Sequence, residues 1–196
     1  MIRVENLYKS FDNVNILKKI NAKFEKGKTN LIIGQSGSGK TVLLKCLLGL
    51  LNPDGGKIFF NDISITDLKN KERRLLRKEM GIVFQGSALF DSMNVQENII
   101  FPLRMFTSKT EEEMLERVNE VIKRVNLINS NMKMPSELSG GMQKRVAIAR
   151  AIVMNPKFLF CDEPNSGLDP KTAIIIDNLI QEITKEYGIT LSLIHI

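Results

Sequence analysis

A glycine-rich octapeptide early in the chain has the residue types and the spacing of a phosphate-binding loop. It reads Gly34-Gln35-Ser36-Gly37-Ser38-Gly39-Lys40-Thr41 and follows an apolar run, residues 29–33, that predicts a buried strand. Glycines let such a loop curl until backbone N–H groups point at phosphate oxygens, and a helix that begins near Lys40 adds its positive N-terminal end. Lys40 supplies a charge for the β- and γ-phosphates, and the Thr41 hydroxyl is placed to bind Mg²⁺. The sequence therefore predicts a site for ATP and Mg²⁺, with ATP contacts from Gly34, Ser36, Gly37, Ser38, Gly39, Lys40 and Thr41.

A second chemical feature is a pair of carboxylates at the end of a later apolar run. Residues 157–161 predict a buried strand, and Asp162 and Glu163 follow it directly. Asp162 is expected to hold Mg²⁺ through water, and Glu163 to polarise the attacking water as a general base. A helix cap or a surface pair is the alternative interpretation. The phosphate loop upstream favours nucleotide hydrolysis.

A third feature is the stretch Leu138-Ser139-Gly140-Gly141-Met142-Gln143-Lys144-Arg145, which leads into an apolar helix. Ser139 offers a hydroxyl, and Gly140 and Gly141 let backbone N–H groups face a ligand at the start of that helix, which makes a second anion site. The alternative is a plain glycine turn. A chain with one nucleotide loop and an additional anion site suggests two copies packed head to tail.

Short apolar runs alternate with helical patterns, and this alternation predicts a parallel α/β sheet that brings these features together. Strands are expected at residues 2–7, 20–24, 29–33, 81–84, 157–161 and from Ile189 onward, with an exposed antiparallel pair at 57–65. A buried helix is expected at 41–51 and another from Pro170 to Tyr187. Between residues 92 and 154 the pattern is helical, and one apolar face comprises Met114, Leu115, Val118, Val121, Ile122 and Val125. The sheet does not need this helical insertion, which must therefore have its own role.

Length and composition restrict the class of protein. A chain of 196 residues suits one domain. Its apolar runs are too short to span a bilayer and its first residues lack the apolar run of a signal peptide, so we expect a cytosolic location. The net charge of +6 is densest at residues 69–79, where Glu72 and Glu79 are interleaved and favour a solvated helix face over a nucleic-acid surface. Cys46 and Cys161 lie in apolar runs and are expected to be reduced core thiols.

The stretch from Leu138 to Met142 resembles the signature motif of ABC-type ATPases, and the other motifs of that family lie in order around it. Gln85 matches the glutamine of the Q-loop, residues 166–169 match the D-loop, and Phe11 falls where the family stacks an aromatic ring on adenine, although Tyr8 is close by. The resemblance implies a P-loop NTPase with a RecA-like parallel core, an N-terminal antiparallel β part and a helical insertion at about 88–154. It also implies roles for Gln85 in catalysis and Mg²⁺ binding and for Asp169 in ATP binding.

The same resemblance implies a homodimer in which each ATP is held by the phosphate loop of one subunit and the signature of the other. ATP would then join the two subunits, and hydrolysis would release them.

A finer resemblance is to the ATPase of Mla-type (maintenance of lipid asymmetry) phospholipid transporters. It rests on residues 84–95, 102–104 and 134–142, including Met142, where most ABC ATPases have glutamine. Such a subunit works at the inner face of the bacterial cytoplasmic membrane with a separate permease, and no nucleic-acid partner is expected. A cytoplasmic helix of the permease would dock beside Gln85 and residues 86–105. Candidate contacts are Phe90, Met93, Phe101 and Met105, for each of which packing within the insertion is an equal alternative.

Three other functions stay open from the sequence. One is the ATPase of a different ABC system, such as an amino-acid importer or the cell-division type. Another is an ABC ATPase that works on ribosomes or DNA, although the ribosome type carries two ATPase halves and the DNA-repair type inserts a long coiled coil. The third is a binding-only or inactive fragment, which the last residues of the chain bring into consideration.

The last six residues, Leu191-Ser192-Leu193-Ile194-His195-Ile196, depart from the family pattern. Family members place a histidine that contacts the γ-phosphate just after this strand. His195 lacks the expected neighbours and arrives one residue early, which would turn its side chain to the other face of a strand. We therefore assign His195 no catalytic role. One interpretation is a diverged strand that holds a histidine with satisfied hydrogen bonds. Our preferred hypothesis is that residues 191–196 translate CTG TCT CTT ATA CAC ATC, a transposase end used in sequencing libraries, and that the domain is incomplete at its C-terminal end.

Overall fold

Eight strands and six helices form within residues 1–195, the part of the chain that this computed structural model describes. The strands are β1 (Ile2–Phe11), β2 (Val14–Phe24), β3 (Thr29–Ile33), β4 (Gly55–Phe60), β5 (Ile63–Ser64), β6 (Met80–Val83), β7 (Phe158–Asp162) and β8 (Thr190–His195). The helices are α1 (Lys40–Leu47), α2 (Asn70–Arg77), α3 (Val95–Phe106), α4 (Glu111–Arg124), α5 (Gly140–Ile152) and α6 (Pro170–Glu186). The predicted α/β fold is confirmed.

The N-terminal part is an antiparallel sheet with the strand order β2-β1-β4-β5. Its strands are longer than predicted, because β1 continues to Phe11 and pairs with β2 up to a turn at Asp12 and Asn13. The expectation that residues 57–65 form an exposed pair is wrong in part, since Ile58 and Phe60 are buried. Alternate residues of β4 point inward and join α1 in one apolar cluster.

The second sheet is parallel and has the strand order β3-β8-β7-β6. Strand β8 lies in the middle, so that Leu193 pairs with Leu31 on one side and with Cys161 on the other. All five residues of β7 are buried, as the continuous apolar run predicts. Within the parallel sheet, the phosphate loop after β3 and the acidic pair at the end of β7 therefore lie at the same edge.

The prediction that residues 29–33 form a buried strand is wrong for one face of β3. Leu31 is 50% exposed and Ile33 is 72% exposed. A parallel strand is buried on both faces only where other elements cover both faces. Strand β3 is the outermost strand of the sheet, and within residues 1–195 no strand pairs with its free edge.

The helices α3, α4 and α5 of the insertion pack in one apolar cluster that continues into the parallel sheet and α6. On α4, Met114, Val118, Val121 and Ile122 are buried, which confirms the predicted face. The helices begin with strong caps, since the side chains of Asn94 and Thr110 accept hydrogen bonds from the backbone N–H groups of Glu97 and Glu113. The first helix of the insertion begins at Val95, later than the predicted start of the helical block at residue 92.

Two smaller predictions also have outcomes. Most of α2 is exposed, which confirms a solvated helix face at residues 69–79. Cys46 and Cys161 are buried free thiols, also as expected. Of the six terminal residues in our hypothesis, Ile196 and the side chain of His195 lie outside the described part of the chain.

Candidate functional site

The phosphate loop curls around the side chain of its own lysine. The Lys40 ammonium donates hydrogen bonds to the carbonyl oxygens of Gly34, at 2.6 Å, and Gln35, at 2.9 Å. Gly37 and Gly39 have φ angles of 77° and 93°, in the left-handed region that glycine adopts without strain. The sequence motif therefore folds into the tight turn that its glycines predict, with α1 beginning at Lys40.

The acidic pair and the predicted glutamine meet at the ends of neighbouring strands. Gln85 follows β6, and its side-chain amide donates to the Glu163 carboxylate at 3.0 Å and to the Ser166 hydroxyl at 3.2 Å. Asp162 ends β7, and Glu163 follows it with a φ of 45°. That backbone conformation is uncommon for a residue other than glycine. Glu163 and Gln85 thus form one constellation.

Asp162 is buried and its charge is poorly solvated. Burial raises the pKa of Asp162, and the neighbouring Glu163 carboxylate raises it further. Lys40, Lys45 and the Thr41 hydroxyl act in the opposite direction. A buried carboxylate beside a second one gains stability from a bound cation. The oxygen donors of Thr41, Asp162 and Gln85 are hard ligands of the kind that Mg²⁺ prefers, so the residues present fit this ion.

The signature residues form a separate constellation at the N-terminus of α5. The Ser139 hydroxyl accepts a hydrogen bond from the Met142 N–H at 3.3 Å, so Ser139 caps the helix. Gly140 is exposed and Gly141 half-buried. A Cβ added at Gly141 would lie 2.7 Å from the Thr172 methyl carbon, so only glycine allows this approach of α5 to α6.

Asp169 caps the neighbouring helix α6. Its carboxylate accepts a hydrogen bond from the Thr172 N–H at 3.0 Å. Among the described residues, no hydrogen bond or ion pair joins Ser139, Gly141 or Asp169 to the phosphate loop. In the structure the signature and the D-loop are therefore neighbours, and both are separate from the phosphate loop of the same chain.

The predicted adenine contact is open to a ligand. Phe11 is 42% exposed and Tyr8 is 43% exposed. The Lys9 ammonium lies 5.3 Å from the centre of the Phe11 ring. Strand β2 reaches the phosphate loop, because a Cβ at Gly39 would meet the side chain of Ile16 at 2.8 Å. The assignment of Phe11 to adenine stays a prediction, as do the ligand contacts of the loop.

An apolar cleft of about 420 Å³ opens beside the Q-loop. Phe90 and Phe101 line it with their ring centroids 4.8 Å apart. Phe90 and Met105 are exposed, whereas Met93 is half-buried. Three cations, Arg77, Lys78 and Arg150, border the aromatic wall.

Two contacts of Gln85, with Ser166 of the D-loop and with Lys144 of the signature stretch, were not predicted from the sequence. The Ser166 hydroxyl accepts from the Gln85 amide, and the buried Lys144 ammonium donates to the Gln85 carbonyl oxygen. Lys144 had a detectable signal, because it stands four residues before Ile148 on the buried face of α5. A lysine on the apolar face of a helix requires a polar partner.

The family model for ABC transporters matches residues 17–166 of the chain. The chain belongs to the ABC transporter family. Within residues 1–195, no helix of this ABC cassette is long and apolar enough to cross a bilayer.

The cassette is 45% identical over 190 residues to the methionine import ATP-binding protein MetN of Clostridium tetani, across 97% of this chain and 59% of that protein. It is 39% identical over 193 residues to the probable ribonucleotide transport ATP-binding protein mkl of Mycobacterium leprae, across 98% of this chain and 56% of that protein. The cassette thus spans somewhat more than half the length of these relatives.

Its backbone is similar to the dimeric structure of MJ0796, a bacterial ABC transporter cassette, with a TM-score of 0.90 and 32% identity over 99% of this chain and 87% of that one. A second dimeric structure of MJ0796, in a post-hydrolysis state with ADP and phosphate, gives a TM-score of 0.88, again with 32% identity over 99% of this chain and 87% of that one. The P-loop NTPase fold expected from the sequence is confirmed.

Proposed function

We propose that this cassette binds and hydrolyses ATP and that it powers a separate membrane permease. The observation that carries the proposal is the hydrogen bond from the Gln85 amide to the carboxylate of Glu163, which follows β7 at the same edge of the sheet as the phosphate loop. The proposal is supported by this contact between a carboxylate and a side-chain amide at the carboxyl ends of parallel strands, where ligands of α/β folds bind.

In this mechanism the chain's own side chains position the phosphates and activate water. The Lys40 ammonium, now bonded to two carbonyls of its loop, exchanges one of them for a phosphate oxygen. The Glu163 carboxylate accepts a proton from water as that water attacks the terminal phosphate. The Gln85 amide holds the base in position. Thr41, Gln85 and Asp162 would hold Mg²⁺, which neutralises charge on the phosphates.

The signature supports a working unit of two copies. Because Ser139, Gly140 and Gly141 form an anion site apart from the phosphate loop, a second copy must supply the ATP that they contact. Phe11 would stack on adenine in the first copy, and Asp169 would approach the nucleotide across the interface. The similar MJ0796 cassette is a dimer, which supports this proposal.

The cleft beside the Q-loop is the proposed docking site of the permease, at the cytoplasmic face of the membrane. Its aromatic wall, with Phe90 and Phe101, suits an apolar helix, and Arg77, Lys78 and Arg150 favour an acidic residue on that helix. The loop from Gln85 to Phe90 borders both the cleft and the proposed hydrolysis site. Docking can thus act on the base through Gln85.

For the transported molecule we propose phospholipid, supported by the resemblance of residues 84–95, 102–104 and 134–142 to Mla-type ATPases. Methionine is the second candidate, because a relative at 45% identity is named as a methionine importer. Transporters of either molecule would use the same ATPase chemistry and would differ in their permease.

The test of hydrolysis is Glu163→Gln in the full-length protein. We expect kcat to fall about 10²- to 10⁴-fold, because the general base is lost. The Kd for ATP should stay within about threefold, since the phosphate loop is intact. Glu186→Gln is the matched control, because it removes a carboxylate that pairs with Arg124 away from the site. Hydrolysis at the wild-type rate in Glu163→Gln would show that Glu163 is not the base.

Glu163→Gln, isolated together with its permease, also tests whether phospholipid or methionine is the transported molecule. The slow variant should retain the assembled complex, whose bound phospholipid is measured by mass spectrometry. Wild-type complex in vesicles should then move a labelled phospholipid in an ATP-dependent manner. ATP-dependent uptake of labelled methionine without movement of phospholipid would show that methionine, and not phospholipid, is the transported molecule.

A further inference from the structure

Three cations of α5 make the same kind of hydrogen bond, from a side-chain N–H group to a main-chain carbonyl oxygen outside the helix. Lys144 donates to Gln85. Arg150 donates to Ser87 and Ala88, at 2.8 Å each. Arg145 donates to Val125, at the end of α4, at 2.7 Å. Two of the three cations thus hold the segment 85–88, and the third holds a part of the insertion away from Gln85.

The segment 85–88 needs such support. Ser87 and Ala88 have φ angles of 62° and 46°, and the Ala88 N–H donates to the Gly86 carbonyl at 2.7 Å in a very tight turn. Backbone in sparsely populated conformations persists where its surroundings fix it. The carbonyl oxygens of this segment therefore depend on the cations of α5.

Burial of the Lys144 ammonium group has a desolvation cost. Its side chain is only 4% exposed. Burial lowers the pKa of Lys144, whereas the nearby charge of Glu163 acts in the opposite direction. A buried ammonium requires a fixed hydrogen-bond acceptor. The Gln85 carbonyl is that acceptor, so the positions of Lys144 and of the Gln85 main chain are tied to each other.

The other end of Gln85 reaches the proposed base. Its amide donates to Glu163 and Ser166, so a displacement of the Gln85 main chain moves the amide on the Glu163 carboxylate. Lys144 lies one helical turn after Gly140 and Gly141. The signature and the amide on Glu163 are therefore connected through a single rigid helix and one side chain.

We propose that Lys144 is a positioning residue of the hydrolysis site, whose ammonium holds the Gln85 main chain and so keeps the Gln85 amide on Glu163. The proposal rests on the proposed ATPase function. In the proposed dimer, the N-terminus of α5 contacts the ATP that is bound by the other copy. Lys144, on the same helix, contacts Gln85 of its own copy. Lys144 thus couples the two nucleotide sites.

The experiment compares Lys144→Met with Arg145→Met in the full-length protein. Methionine keeps the length and packing of the lysine side chain and removes its N–H donors. We expect kcat for ATP hydrolysis to fall about tenfold to a hundredfold in Lys144→Met, because small misplacements of catalytic groups have effects of that size. The KM for ATP should stay within about twofold, since Lys144 makes no bond to the phosphate loop. Arg145→Met should keep kcat within about twofold of wild type, because its bond is made away from Gln85.

Amide hydrogen exchange gives a readout that does not depend on activity. The peptide that covers residues 84–90 should exchange faster in Lys144→Met and at the wild-type rate in Arg145→Met. Lys144→Arg, which keeps the charge and N–H donors, should restore kcat to within about threefold of wild type. Equal kcat losses in the two methionine variants, unchanged exchange at 84–90, or no recovery in Lys144→Arg would each overturn the proposal. An inactive wild type would refute the proposed ATPase function instead, and exchange alone would then decide the role of Lys144.

Discussion

Gly141→Ala tests how closely the signature helix must approach α6. The new Cβ would lie 2.7 Å from the Thr172 methyl carbon, whereas carbon atoms in contact lie about 3.5–4.0 Å apart, so Thr172 must change its rotamer or α5 and α6 must separate by about 0.8 Å. Overpacking of this kind costs about 1–3 kcal/mol, and the helix propensity of alanine returns less than about 1 kcal/mol. We expect a net loss of about 1–2 kcal/mol. In a chain of 196 residues this loss lowers Tm by about 2–8 °C.

The controls use the same two helices. Gly140→Ala places its Cβ 3.5 Å from Leu168, an ordinary contact, so thermal unfolding should show little loss of stability or a small gain. Thr172→Ser removes the clashing methyl group and should recover most of the loss in the double variant, with a coupling energy of about 1 kcal/mol in urea unfolding. If Gly141→Ala were as stable as Gly140→Ala, or if Thr172→Ser recovered nothing, the close approach of α5 and α6 would be refuted.

Two further predictions concern the insertion and α6. Asn98 is fully buried, accepts from the Phe90 N–H at 2.8 Å and donates to the Met93 carbonyl at 2.9 Å, so Asn98→Leu should cost about 3 kcal/mol in urea unfolding. A loss below about 1 kcal/mol would contradict this role. The Thr172 hydroxyl and N–H lower the pKa of Asp169. The Asp169 carboxylate therefore stabilises the folded state above the ordinary aspartate pKa of about 3.9, and this stabilisation is lost as pH falls through the lowered value. Asp169→Asn should flatten this acid-dependent part of the unfolding free energy, measured from pH 7 downward, and an unchanged pH dependence would exclude the cap.

The parts of the site that the sequence predicted depend on local chemistry or on strand ends. The phosphate loop follows from its glycines, and the contact between Gln85 and Glu163 follows from two neighbouring parallel strands that end at one edge of the sheet. The contacts of Lys144 and Ser166 with Gln85 were not predicted, because Gln85 lies 59 and 81 residues from them along the chain. No local pattern specifies which carbonyl a buried ammonium will meet.

The error at β3 has a similar origin. An apolar pentapeptide predicts a strand, but its sequence does not say whether that strand is central or outermost in the sheet. Leu31 and Ile33 are apolar and exposed because, among the described residues, no element covers that face of the outermost strand. The order of strands is a property of the whole chain, and burial follows that order.

The central place of β8 sets the order in which a growing chain can fold. Asn30 on β3 bonds to the Leu191 carbonyl, 161 residues later, so β3 has no partner in its sheet until residues 190–195 have left the ribosome. At ordinary rates of translation that delay is roughly 8–30 s. The antiparallel β1–β2 pair, the β6–β7 pair and the helical insertion can form during this time, whereas β3 and the second edge of β7 stay unpaired until β8 arrives. The parallel sheet is therefore completed by the entry of one late strand between two early ones.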